Sequence, residues 1–319
     1  MNQPADNSAW AQVVERAYGL KPITYSTNKD FEVHFFEGSS LLGRPYLSSA
    51  PYLTDGGWKL SSTTLSSTTQ TELVEWIKEK ASSYALVKSR NAIIQDKIDE
   101  VALDQSYFDF SLDLNTDKET IFKDSLSKKT RNQLRKGLSQ TYAIKVGGIE
   151  LVNNFWMLIS QIWRDLGTPS HSLLFFQSIL EFFGEKARIL LVDCKGETVA
   201  GALLIREGDT LHHPYAGCLK SFHRLCMNQV LYWKIIEWAI EKNCRIFDMG
   251  RSPYQKGSYH YKLSWGAKII PLYYYYFMGT RQEGGFYNSP LLKMMTSVWR
   301  YMPLGLAKRL GPHFIQKLL

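Results

Sequence analysis

The order of elements legible between residues 150 and 248 restricts the fold more than any other feature of this chain. Two helical stretches, about 150–165 and 172–183, are separated by the breaker Gly167-Thr168-Pro169. Three strand-like runs follow at 187–193, 199–206 and 210–217. A long helix then covers about 227–242, with Val230, Ile235, Trp238 and Ala239 among its apolar positions, and a short strand closes the series at 245–249. Helices, a meander, then helix and strand predict a mixed α/β layout rather than a strict alternating wind.

The first half is less regular. A helix is expected at 7–17, strands at 31–36 and 46–49, and a Ser/Thr-rich loop at 61–69. A helix at 71–81 follows from Leu73, Val74, Ile77 and Ala81 at helical spacing, with strands at 84–88 and 107–112. In SLSKKTRNQLRKG, Ser127 suits an N-cap and Gly137 a C-terminal stop. A strand at 142–146 runs into Gly147-Gly148, which marks a soft boundary between a domain at 1–148 and one at 149–280. The aromatic and β-branched run 269–277 reads as one more strand, and residues 281–319 as a separate basic tail.

Composition narrows the class. With 45% apolar and 21% charged residues the 319-residue chain can bury an ordinary core. Lys and Arg number 38 against 30 Asp and Glu, a balance of +8 that favours anionic partners without naming them. Cys194, Cys218, Cys226 and Cys244 form no paired ligand spacing, so a zinc framework is not expected and a reducing compartment is. The first residues, MNQPADNSAW, show no signal-peptide pattern, and the longest apolar run, 269–278, is about half of the ~20 residues a membrane helix needs. Stretch 291–319 carries Lys293, Arg300, Lys308, Arg309 and Lys317 and no acid, with Leu304, Leu310, Phe314, Leu318 and Leu319 as apolar positions and Gly311-Pro312 as a break. A helix pair docked on the body accounts for this pattern first; a basic amphipathic surface on an anionic membrane is the other reading.

Three segments could carry chemistry. Lys128, Arg131 and Arg135 share one helix face, and no acid lies within 125–142 to neutralise them. In IFDMGRSPYQKGSYHYKLSWGAK a short strand ends at Asp248 and opens through Gly250 and Arg251 into a polar loop. Lys262 lies farther on among aromatics, where an ammonium can stabilise a developing oxyanion. The bland alternatives are a solvated helix face for the first and a packed hairpin with a snorkelling lysine for the second. In His212-His213-Pro214-Tyr215 the two histidines face opposite ways on a strand, so no shared metal is expected, but one can face a cleft. No GxSxG, HExxH, GxxxxGK[ST] or GxGxxG pattern occurs.

GRPYLSSAPYLTDGGW, KKTRNQLRKG, RDLGTPSHSLLFF and FDMGRSPYQKGSYHYKLSWGA together resemble Fem-type transferases, most nearly the FemAB-related branch found with PEP-CTERM/exosortase systems. The resemblance spans about residues 8–280. It implies two tandem acetyltransferase-like (GNAT) domains, each a mixed sheet flanked by helices, and transfer of an acyl or aminoacyl group from an activated donor to an amine. It also implies that Tyr261-Lys262 matches the family's aromatic–Lys pair near the reacting carbonyl. Two departures stand out. The segment LKSFHRLCMNQ lacks the glycines that cradle the diphosphate of coenzyme A in such enzymes, and the long coiled-coil arm of some tRNA-using members is missing.

The resulting expectation is a transferase with no permanently bound cofactor and no metal. Its co-substrate is an activated acyl donor, aminoacyl-tRNA or acyl-CoA. Lys262, Asp248 and His212 are the expected catalytic residues. Arg251, Tyr215, Tyr254, Tyr259, Tyr261, Asn228, Lys128, Arg131 and Arg135 are the expected substrate contacts. The acceptor is an anionic cell-wall or polysaccharide precursor, with tRNA and an anionic membrane surface as further partners. The setting is the cytoplasm or the inner face of its membrane. Acyl-CoA- or acyl-carrier-dependent acylation of a sugar amine, and a non-catalytic assembly factor of polysaccharide export, remain as alternatives.

Overall fold

The computed structural model describes residues 7–27, 31–39, 43–80, 83–94, 98–278 and 290–317. Ala81, residues 281–289 and Leu318-Leu319, named in the expectations above, lie outside them. In chain order the first strands and helices are α1 (Asn7–Tyr18), β1 (Pro22–Thr27), β2 (Phe31–Ser39), β3 (Pro45–Ser49), β4 (Trp58–Leu60), α2 (Ser67–Glu79), β5 (Ala85–Ser89), β6 (Val101–Asp104) and β7 (Tyr107–Asp113). After a short turn, α3 (Lys118–Thr120), come α4 (Lys128–Leu138), β8 (Tyr142–Gly147), α5 (Val152–Leu166), α6 (Leu173–Phe183), β9 (Ala187–Cys194), β10 (Glu197–Glu207), β11 (Thr210–Cys218) and α7 (Met227–Glu241). The chain ends through β12 (Ile246–Asp248), β13 (Ser252–Pro253), α8 (Gly257–Leu263), β14 (Lys268–Pro271), β15 (Tyr273–Phe277), α9 (Pro290–Arg300) and α10 (Leu304–Ile315).

Two mixed sheets result, as the sequence predicts. The first has the order β1-β2-β3-β5-β15-β6 with β4 added on β2; the second has β13-β7-β12-β11-β10-β9-β8 with β14 added on β7. Each contains a parallel pair bridged by a helix: β3 and β5 across α2, and β11 and β12 across α7. The sheets do not divide at residue 148, where the sequence suggested a boundary. β7 belongs to the second sheet, and β15 crosses back to pair with β5 and β6 of the first. The run 269–277 is therefore two strands. The chain switches sheets at buried Leu272: β14 before it is largely exposed, whereas β15 after it buries Tyr274, Tyr275 and Phe277.

Local sequence explains most of the rest. Ser66 caps α2 by accepting from Thr69 N, so the helix begins inside the Ser/Thr-rich stretch read as a loop. Ser127 caps α4 by accepting from Thr130 N at 3.2 Å, as expected, a contact worth about 1 kcal/mol. Gly137 does not stop that helix, which runs to Leu138. A Cβ there would stand 2.7 Å from Val230 Cγ2 and 2.8 Å from the Cys226 carbonyl, so the glycine is a packing requirement of α4 on α7. Pro312 likewise lies inside α10 rather than breaking the tail. Trp299, Ala307 and Ile315 are buried, which is the docked-helix reading of the tail. All four cysteines are free and buried, and no helix among the described residues is long and apolar enough to cross a membrane.

Candidate active site

β11 and β12 pair only from Thr210↔Ile246 to His212↔Asp248 and then part. A cleft of about 720 Å³ lies where they part. Its polar floor consists of Asp55, Arg90, Glu207, His212, Asp248 and Lys262.

Asp248, at the end of β12, is fully engaged. Its Oδ2 accepts from Arg90 Nη2 at 2.5 Å and from His212 Nδ1 at 2.8 Å, and its Oδ1 accepts from Gly250 N at 2.7 Å. Gly250 has φ 69°, the left-handed turn that brings its N–H back onto the carboxylate. Burial opposes the Asp248 charge, but Arg90 and His212 outweigh it and hold the carboxyl well below its usual range. A carboxylate only accepts, so His212 Nδ1 carries the proton and Nε2 is the free ring nitrogen. Nε2 has no hydrogen-bond partner among the described residues and lies 3.6 Å from Glu207 Oε2. Burial works against a charge on His212, yet the Asp248 bond and the two carboxylates raise its pKa above the ordinary value.

Arg90 follows the last residue of β5, in the first half, and reaches into the second. Besides Asp248 it faces Asp109 Oδ2 at 2.7 Å and Asp55 Oδ1 at 3.2 Å. One guanidinium cannot hold three carboxylates ionised in a dry site. Burial and the neighbouring acids push Asp109 up to about 8 and Asp55 to about 6 despite Arg90. Arg90, Asp55, Asp109 and Glu207 escape sequence reasoning because they come from four separate segments with no local motif. The one available signal was that Asp55 lies in the GRPYLSSAPYLTDGGW stretch.

Lys262 is buried in α8 and lines the cleft. Its Nζ donates to Gly250 O at 2.7 Å and to Arg251 O at 2.9 Å and lies 5.3 Å from the Phe110 ring centroid. An ammonium has three N–H groups, so one remains. Burial lowers its pKa to about 8, with Asp109 and Asp248 working against the fall and Arg251 adding to it. α8 itself is held by the start of α4: Ser127 N donates to Ser264 O at 2.9 Å and Thr130 Oγ1 to Ser264 Oγ at 2.9 Å.

The other expected residues scatter. Arg251 and Tyr215 line the cleft, Arg251 donating to Tyr274 Oη at 3.0 Å. Tyr261, beside Lys262 in sequence, turns away and packs edge-on to Tyr232 at 5.2 Å. Tyr254 is exposed and packs on Phe108, and Tyr259 is buried against Phe108 and Phe110. Asn228, Tyr254, Tyr259 and Tyr261 do not line the cleft. Nor do Lys128, Arg131 and Arg135. Arg131 donates to the Lys123 carbonyl and, at 2.7 Å, to Leu126 O, Arg135 lies 5.2 Å over the Phe122 ring, and Lys128 is exposed. Two of the three arginine and lysine side chains of that stripe thus fasten the 121–126 segment. In the glycine-free segment 219–229, Lys220–Leu225 is a 3-10 helix, Cys226 has φ 60°, and the first turn of α7 is packed by α4, with Gln229 Nε2 donating to Gln133 Oε1 at 3.2 Å.

Residues 125–263 match the family model of the acetyltransferase (GNAT) domain. No curated protein is significantly similar to the chain. Among solved structures it is similar to FemX, at 11% identity and a TM-score of 0.60, covering 91% of this chain and 93% of that one. It is similar to L-PGS from Bacillus licheniformis, at 14% identity and 0.55, covering 94% and 97%. A tandem GNAT protein from the clavulanic acid biosynthesis pathway is a third, at 9% identity and 0.52, covering 82% and 84%. The chain has the tandem GNAT-like fold these proteins share, and the matched domain supports an acyltransferase.

Proposed function

We propose that this protein transfers an acyl or aminoacyl group from an activated ester or thioester to an amine of an anionic cell-wall or exopolysaccharide precursor, by direct attack. The supporting observation is that an imidazole with a free Nε2 and an ammonium with a spare N–H line one cleft. The amine nitrogen attacks the donor carbonyl carbon. Its proton passes to His212 Nε2, and Lys262 donates to the oxygen that becomes negative. The C–N bond forms as the C–O or C–S bond of the donor breaks, and the departing oxygen or sulfur takes the proton back from His212. Asp248 is saturated by three donors, so it orients His212 and does not itself take the proton.

Aminoacyl transfer is the favoured form, since FemX and L-PGS share the fold and α4 packs the α7 turn where a diphosphate usually lies. Acyl-CoA-dependent acylation of a sugar amine is the second reading, and the acetyltransferase family match favours it. A purely structural role would leave the buried charges of the floor without a purpose. The exosortase-associated branch fits the acceptor class. The exposed Met294, Val298, Tyr301 and Leu306, beside the basic tail, support work at an anionic membrane surface. Incubating the protein with charged tRNA or with acyl-CoA, together with amino-sugar and peptide amines, and weighing the products by mass spectrometry separates the donors. Amide product from neither donor refutes the reading.

A further inference from the structure

The apolar side of the cleft is built largely by the tail. Met295, Thr296, Trp299, Phe314 and Ile315 all line it. β11 and α5 join the ionic floor to this wall. Along β11 the chain passes from His212 to Tyr215, roughly 10 Å at the rise of a strand. The Tyr215 ring lies 5.8 Å from that of Trp163. α5 then ends at Gly167, where a Cβ would stand 2.5 Å from the Thr296 carbonyl, so α9 touches bare backbone. Trp299 packs edge-on to Phe314 of α10 at 5.4 Å. Gly311 sits on Ser170, where a Cβ would be 2.7 Å from the carbonyl, and Arg164 Nη1 donates to Met302 O at 3.0 Å.

Among the described side chains, the tail's charges stay out of this space. Arg300, Lys308, Arg309 and Lys317 do not line the cleft, although the segment is basic throughout. Its neutral and apolar side chains face in. Two hydroxyls mark the junction with the floor. Tyr52 Oη and Tyr215 Oη are buried, have no hydrogen-bond partner among the described residues, and belong to rings that line the cleft. Tyr52 is set there by an unusual backbone: φ is 66° at Tyr52 and 43° at Ala50, and Trp10 Nε1 donates to the intervening Pro51 O at 2.9 Å. Burial pushes both phenols well up, so they stay protonated donors.

We infer that the cleft is an acyl-chain site: a linear hydrocarbon lies along Trp163, Met295, Trp299 and Phe314, and the carbonyl at its head accepts from Tyr52 and Tyr215. A space of this size holds a ligand of several hundred daltons, and an uncharged wall joined to two unpaired donors suits a chain ending in a carbonyl. The chain site does not rest on the transferase reading. Three tryptophans, Trp10, Trp163 and Trp299, line the cleft, so occupancy is readable without turnover. Dibromostearate titrated into the intact protein should quench tryptophan emission saturably, and stearate should displace it while acetate does not. Met295→Glu should weaken this binding at least tenfold. Met295→Trp, which fills the space without adding charge, should shift the preference to shorter chains. Quenching that is unsaturable, or equal in wild type and both Met295 variants, overturns the chain site. Retained quenching in Lys262→Ala with transfer abolished supports the site separately from the chemistry. Turnover of short acyl donors with no chain binding overturns the site and leaves the transferase reading intact.

Discussion

The two parallel pairs of this molecule are built alike and finished differently. In the first sheet the fork beyond β3 and β5 is plugged by the chain itself. Gly56 bridges to Lys88, its N–H donating to Lys88 O at 3.2 Å, and Trp58 Nε1 donates to the same oxygen at 2.9 Å. In the second sheet the fork beyond β11 and β12 is open and lined with ionisable groups. The plug also works for its neighbour. The segment that closes the first fork carries Tyr52 and Asp55, and the end of β5 carries Arg90, all of which line the second cleft. One half supplies the site and the other supplies part of its charge. A repeat of fold therefore does not mean a repeat of function.

If the open fork is the reactive one, His212→Gln should lower turnover by two to four orders of magnitude, the usual worth of a general base, with the melting temperature little changed. Steady-state kinetics beside a thermal melt checks this, and a loss under tenfold removes His212 from the reaction. Arg90→Met tests the link between the halves. It leaves three buried carboxylates facing one another and should cost about 3–5 kcal/mol of stability by denaturant titration. A neutral result would mean that the first half does not hold the floor of the second.

At the plugged fork only stability should respond. Gly57 has φ 78°, and a Cβ there would stand 2.7 Å from Ala50 N. Gly57→Ala should destabilise by about 1–3 kcal/mol while an already folded population keeps its rate per active site. Lys88 is the smallest test. It is buried, burial and Arg251 lower its pKa to about 7 against the pull of Asp55, and among the described residues its Nζ has only Ala50 O at 3.4 Å as an acceptor. Lys88→Met should change stability by no more than about 1 kcal/mol, in the stabilising direction. A large loss of turnover there would show that the two forks share the chemistry.

Much of this was legible in the residues. Helical spacing, the Ser127 cap and the 187–217 meander follow local rules, and the structure keeps them. Asp248, His212 and Lys262, singled out from separate segments of the sequence, all line one cleft. What the sequence hid is long-range. Leu272 gives no sign that β14 and β15 part into different sheets. The aromatic neighbours of Lys262 were read as one unit, but a helix turns successive side chains about 100° apart, so Tyr261 faces α7 while Lys262 faces the cleft. The basic stripe looked like a ligand site because its partners are carbonyls and a ring, which leave no mark on a charge count.

The charge on Lys262 governs the pH response as well. Its lowered pKa means that keeping the ammonium costs the folded state stability below about pH 8, and that this cost fades as pH rises toward 10.5. His212 has the opposite sign: its raised pKa adds stability below about 6.5 that is lost as pH climbs through the higher folded value. Catalysis needs neutral His212 with charged Lys262, so the rate should pass through a narrow bell whose alkaline limb falls near pH 8. The most direct test is the turnover of Lys262→Ala and Lys262→Arg across that range, with folding verified for each. Alanine should lose at least about a hundredfold, and arginine should keep measurable activity without the alkaline limb. Wild-type rates in the alanine variant would contradict a lysine-assisted transfer in this cleft.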